Sequence, residues 1–203
     1  MVIELETPSI VVDLDRMEAN IARLQQYLSA HGIANRPHIK THKIPAIARQ
    51  QMAAGAVGLT CQKLGEAGVM AAEGLVDIFL PYNLLGDLKL RRLAALMRQA
   101  AVSVTADSAI VASGLARAAH EAGSELTVLV ECDLGAQRCG VQSPTEAADL
   151  ARFIARQEGL QFGGLMTYPN RPGLDDFVGD RRRACGNLRQ GRGEPDRIAA
   201  KLA

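Results

Sequence analysis

From Asp13 onward, apolar side chains recur at spacings of three and four, at Leu14, Met17, Ile21, Leu24 and Leu28. That is the period of a helix with one buried face, with Asp13 placed to cap it and Gly32 to stop it. Beyond Gly32 the pattern changes. Short runs of Val, Ile, Leu, Phe and Thr over 37–40, 58–62, 76–81, 102–106, 126–132 and 162–167 predict strands buried on both faces. Between them, alanine-rich runs over 44–54, 64–73, 84–99, 108–122 and 144–157 predict helices. Pro45 and Pro144 sit near first-turn positions, Ser143-Pro-Thr-Glu146 reads as a capping box, and the glycines at 55, 74 and 123 fall where three of these helices should stop.

Strand, helix and strand in regular succession are repeated βαβ units, hence a parallel sheet with helices outside. Six strands in 203 residues fit a whole open sheet or an unfinished barrel, since a complete barrel has about eight strands in ~250 residues. After Asp176 the pattern breaks. Residues 181–203 are basic, interrupted by glycine and nearly free of large apolar side chains, so they offer no seventh strand and read as a solvated or disordered tail. The organisation expected is one domain over 1–180 followed by that tail.

Composition narrows the partners. Lys and Arg number 23 against 22 Asp and Glu, and a net charge of +1 argues against nucleic acid and against an anionic membrane. The opening MVIELETPSI is acidic where a signal peptide is basic, and no run reaches the ~18 apolar residues of a membrane span, so a cytoplasmic protein is expected. Cys61, Cys132, Cys139 and Cys185 show no metal-binding spacing and read as buried thiols. Aromatic residues make up only 3%, which suits small-residue helices lying close on a sheet.

Three clusters carry chemistry. In Arg36-Pro-His38-Ile-Lys40-Thr-His42-Lys43, strand alternation would put Arg36, His38 and Lys40 on one face, with Lys40 at the C-terminal end where barrel active sites lie. A lysine buried there is unfavourable unless paired or chemically used, and burial would make its amine nucleophilic. The same cluster also reads as a basic surface loop. In Val130-Glu-Cys-Asp-Leu-Gly-Ala-Gln-Arg138-Cys-Gly140, Arg138 offers a fork of donors to an anionic oxygen, or a rim salt bridge. Gly163-Gly-Leu-Met-Thr-Tyr168 places a phenol at another strand end, for packing or for chemistry.

With Thr7-Pro-Ser-Ile-Val-Val-Asp and Thr60-Cys-Gln-Lys-Leu-Gly-Glu66 added, these motifs resemble, in order and over about residues 5 to 180, the D-threonine aldolase and D-serine dehydratase group. That group shares its N-terminal barrel with alanine racemase. The resemblance implies an α/β fold, a partial TIM (β/α)8 barrel with about six parallel strands and outer helices, lacking the C-terminal part of the barrel and a β-domain. It implies pyridoxal 5'-phosphate as cofactor, Lys40 as the residue holding it as a Schiff base, Arg138 at its phenolic oxygen, Tyr168 beside its ring, and His38 and His42 flanking the lysine.

Relatives run on for well over a hundred residues that supply a glycine-rich phosphate cradle and, in the lyases, a pair of ligands for a divalent metal. No counterpart of either is legible here, so no metal residue is assigned, and a truncated or frame-shifted chain is expected. The activity implied is a lyase reaction on D-β-hydroxy amino acids: retro-aldol cleavage with His42 as base for the hydroxyl, or dehydration to a keto acid. Racemisation, a non-catalytic cofactor-binding protein and an inactive fragment are the other readings. The partner is a small D-amino acid, and relatives suggest a homodimer.

Overall fold

The computed structural model describes residues 6–135 and 137–168. Six helices and five strands follow one another as α1 (Leu14–Ala30), α2 (Pro45–Ala53), β1 (Leu59–Thr60), α3 (Leu64–Ala72), β2 (Asp77–Leu80), α4 (Asp87–Met97), β3 (Ala101–Ala106), α5 (Ala109–Ala122), β4 (Leu126–Cys132), α6 (Pro144–Ala155) and β5 (Leu160–Thr167). The strands form one sheet in the order β1-β2-β3-β4-β5, every neighbouring pair parallel. An open doubly wound sheet reverses its strand order partway along. This one does not, so it is the wall of an incomplete barrel, as the resemblance implied.

Alternation divides the strands cleanly. Ile78, Leu80, Val102, Val104, Ala106, Leu126, Val128 and Val130 turn outward and are buried with Ala67, Met70, Leu93, Ala112, Leu115, Ala119, Leu150 and Ile154 of the helices. On the helix side of that contact, alanines alternate with large aliphatic side chains. The opposite, inward face follows the register Thr60, Phe79, Ser103, Thr127 across the sheet. Thr60, Thr105 and Glu131 are the buried polar residues among those described, and all three lie on the inward face. Between β4 and β5 the register slips at Val128 and Leu129: Val128 pairs with Phe162 and Leu129 with Gly164, leaving Gly163 as a bulged residue.

Helix starts follow local chemistry. Asp13 accepts the Arg16 N–H at 3.0 Å, and Ser143 accepts the Glu146 N–H at 3.2 Å. The Glu146 carboxylate reaches back to the Gln142 N–H at 2.7 Å, one residue earlier than a regular capping box.

Three expectations need correction. Five strands form, not six: residues 37–40 make a single bridge, His38 to Thr60, and then a turn of 3-10 helix, Ile39–Thr41. The apolar face of α1 is not buried, for no residue of that helix is, and Leu14, Leu24 and Tyr27 stay exposed. Within the described residues its packing partner is α2, too small a surface to cover it. Lys40, expected to be buried, is exposed, because the 3-10 turn lifts it out of the sheet. The basic tail over 181–203 and Cys185 lie outside the described residues.

Candidate active site

The turn that carries Lys40 is anchored from below by Ile39, which is fully buried. The Ile39 carbonyl accepts the N–H groups of His42 and Lys43 at 3.1 and 2.7 Å. His38 closes the other side, its Nδ1 accepting the Lys40 N–H at 3.3 Å. With Nδ1 used as an acceptor, the ring proton belongs on Nε2, which lies 3.2 Å from Gln62 Oε1. Burial lowers the His38 pKa from 6.5; the Gln62 bond opposes this and the Lys40 charge adds to it. The neutral ring that the turn requires is therefore the favoured one.

Arg138 is delivered by a loop with a narrow neck. Asp133 N–H donates to the Val141 carbonyl at 3.0 Å and Val141 N–H to the Glu131 carbonyl at 2.9 Å. Within the loop, the Asp133 carboxylate accepts from the Gly135 and Gln137 N–H groups, both at 2.9 Å. Gly140 has φ +106°, and a Cβ there would lie 2.6 Å from the Asp133 nitrogen, so this position admits no side chain. Glu131, 3% exposed, accepts a hydrogen bond from the Cys139 thiol at 2.9 Å.

Lys40, Arg138 and Tyr168 converge. The Arg138 guanidinium carbon lies 5.0 Å from the centre of the Tyr168 ring, and Lys40 Nζ lies 5.9 Å from it. Both distances are within reach of a cation–π contact. Neither cation has a carboxylate partner among the described residues. An amine, a guanidinium and an aromatic face at the mouth of a barrel wall suit a flat, anionic aldehyde: the amine can condense with the carbonyl, the guanidinium can hold an anionic oxygen, and the ring offers a wall. Pyridoxal phosphate has those features, and the site fits it in these respects. No cradle for its phosphate lies among the residues assigned here.

Two of the candidate residues serve the scaffold in this geometry. His38 holds the lysine turn. His42 Nδ1 accepts the Ile44 N–H at 3.0 Å, at the start of α2, and burial lowers its pKa from 6.5, with Gln51 opposing. Arg36 goes to the other end of the strands, where it pairs with Asp77 at 2.6 Å. Gln62, Glu66 and Glu131 stand within motifs quoted from the sequence but were given no role there. The signal for Glu131 was a charged residue inside an otherwise apolar strand run.

The family model described as alanine racemase, N-terminal domain, matches residues 12–190. A D-threonine aldolase of Arthrobacter sp is 41% identical over 164 residues, covering 81% of this chain and 43% of the aldolase. A D-threo-3-hydroxyaspartate dehydratase of Delftia sp. (strain HT23) is 38% identical over 170 residues, covering 81% of this chain and 43% of that protein. Among solved structures, D-threonine aldolase from Filomicrobium marinum superimposes with a TM-score of 0.82 at 36% identity, over 91% of this chain and 50% of that one. The chain thus spans about half the length of such relatives.

Proposed function

The chain belongs to the alanine racemase N-terminal domain family, and from that premise we propose that it forms the pyridoxal-phosphate-binding half of a lyase acting on D-β-hydroxy amino acids, with Lys40 as the attachment point. The observation that carries this reading is the placement of Lys40 Nζ and the Arg138 guanidinium over one ring, that of Tyr168. The likeness to a D-threonine aldolase and to a D-threo-3-hydroxyaspartate dehydratase supports the substrate class. A small D-amino acid as substrate and a cytoplasmic location belong to the same reading; among the described residues no helix is long and apolar enough to cross a membrane.

When bound, pyridoxal phosphate supplies an electron sink for the bond broken beside the substrate's α-carbon. The chain's own residues supply position and protons. Lys40 Nζ would hold the cofactor and is the group that could carry a proton to or from that carbon. Arg138 holds an anionic oxygen, and its neighbour Tyr168 bounds the flat face. His38 keeps the lysine turn closed. His42 is proposed as the base for the substrate hydroxyl, a role that requires its ring to release the Ile44 N–H.

Adding pyridoxal phosphate to the purified chain should give a visible absorption band that Lys40→Ala abolishes. Aldehyde and glycine from D-threonine would establish the aldolase, and a keto acid from a D-β-hydroxy amino acid the dehydratase. A Lys40-dependent band without product would leave a cofactor-binding protein. Identical spectra for wild type and Lys40→Ala would end the reading.

A further inference from the structure

The segment from Thr60 to Glu66, which the reading above leaves without a task, is tied to the lysine turn at three heights. Lowest, the Thr60 hydroxyl donates to the Arg36 carbonyl at 3.0 Å, and its N–H to the Pro37 carbonyl at 2.8 Å. In the middle, Gln62 Oε1 meets His38 Nε2 at 3.2 Å. Highest, Glu66 Oε1 lies 3.2 Å from Lys43 Nζ, with the Glu66 side chain only 11% exposed. The other Glu66 oxygen accepts the Gln62 N–H at 3.0 Å, so one carboxylate holds both Lys43 and the backbone from which Gln62 reaches out.

Each link constrains the next. Glu66 sits in the first turn of α3, where a carboxylate is favoured by the helix N-terminus, and it fixes the Gln62 backbone. Gln62, presenting its oxygen, accepts the single ring proton of His38. That leaves His38 Nδ1 as the acceptor the Lys40 N–H needs. On the far side of the turn, Lys43 has φ +55°, a conformation a non-glycine residue seldom adopts, and its ammonium is held by Glu66. The turn presenting Lys40 is therefore gripped before and after the lysine by groups that trace to one carboxylate.

We infer that Gln62 and Glu66 are positioning residues for the Lys40 amine, acting through the His38 ring and the Lys43 ammonium to hold the 3-10 turn that aims Nζ at the Tyr168 ring. The inference rests on the reading of Lys40 as the attachment point only for its consequence in cofactor capture. The positioning itself can be measured without cofactor.

The test compares wild type with Gln62→Leu, Glu66→Ala and Gln62→Glu, the last of which keeps an oxygen for the His38 ring. Nitrogen-15 spectra of the histidines should place the His38 proton on Nε2 in wild type and Gln62→Glu, and give a mixture of tautomers in Gln62→Leu. A cross-relaxation signal between the Lys40 ε-methylene and the Tyr168 ring should be present in wild type, weaken in Gln62→Leu and Glu66→Ala, and return in Gln62→Glu. With pyridoxal phosphate, the Lys40-dependent band should form on the order of tenfold to a hundredfold more slowly in Gln62→Leu, the scale of a misplacement near 1 Å. Unchanged tautomer and ring contact in both disrupting variants would overturn the inference, as would a Gln62→Glu protein that behaves like Gln62→Leu. Should wild type form no band at all, the cofactor reading falls, while the tautomer and the ring contact still decide the positioning claim.

Discussion

Cys139 Sγ lies 2.9 Å from Oε1 of Glu131, a carboxylate 3% exposed on the inward face of β4. The residue before Cys139 is Arg138, so this buried contact fastens the loop one position away from the guanidinium over Tyr168. The thiol is pushed up from 9.0 to about 11, by burial first and then by the hydrogen bond and charge of Glu131. In Glu131→Ala the thiol should fall back toward its ordinary range, and alkylation of Cys139 at mildly alkaline pH, followed by peptide mass spectrometry, should quicken several-fold. Cys139→Ser keeps a donor and should preserve the Lys40-dependent band, whereas Cys139→Ala should weaken it. Equal alkylation rates in wild type and Glu131→Ala would contradict the contact.

Raised thiols also set the alkaline limit. Cys61, fully buried, is pushed from 9.0 to about 12, mainly by burial with a contribution from the Glu66 charge. Between those values the unfolded chain releases a proton that the folded chain keeps, so stability is full below pH 9.0 and drains away toward about 12. Urea midpoints should decline across that window, and Cys61→Ala should flatten the decline.

On the acid side the sign reverses. His38 and His42 both have pKa values lowered from 6.5, chiefly by burial, and each uses Nδ1 to accept a backbone N–H. Stability is complete above 6.5 and is lost as pH falls through the lower folded-state values, because protonation converts each Nδ1 from acceptor to donor. His42→Asn, which can still accept the Ile44 N–H, should shrink this acid loss. His42→Ala should cost about 1 kcal/mol at neutral pH, the usual net worth of one hydrogen bond, measured by urea unfolding.

Gly140→Ala should destabilise by about 1–3 kcal/mol, since the new methyl would meet backbone atoms at a positive φ. It should also loosen Arg138. A melting temperature and Lys40-dependent band equal to wild type would show that the neck tolerates a side chain.

Self-association is the last expectation. Among the described residues β5 pairs with β4 alone, leaving eight residues with an open edge, and Ile10, Val11, Leu14, Leu24 and Tyr27 expose apolar surface nearby in sequence or on α1. Sedimentation should show mass rising with concentration. A monomer at every concentration would contradict this.

The four βαβ steps were legible because burial on both faces and alanine-rich helices leave strong local patterns, and the caps at Asp13 and Ser143 are local chemistry. The lysine turn was not legible as a turn. Alternation in Pro37-His-Ile-Lys40 suggested a strand, but the backbone there is decided by a ring nitrogen capping Lys40 and by a buried Ile39 carbonyl with two donors. Periodicity in α1 marked the face that wants cover without saying what supplies it. Lys40, Arg138 and Tyr168 were singled out from separate motifs, and only the winding of the wall brings them together.

The extra residue at Gly163 works as a frame shift in side-chain direction. Were Gly163 paired opposite Leu129 as a regular strand residue, Leu165 and Thr167 would share the inward parity of Glu131, and Tyr168 would swing to the helix side. With the bulge, Met166 stands opposite Glu131, and the next residue of the same parity is Tyr168. A methyl at Gly163 would lie 2.5 Å from Thr127 Cγ2, so any larger residue there obliges Thr127 to turn. One bulged residue thus decides which side of the wall receives the phenol.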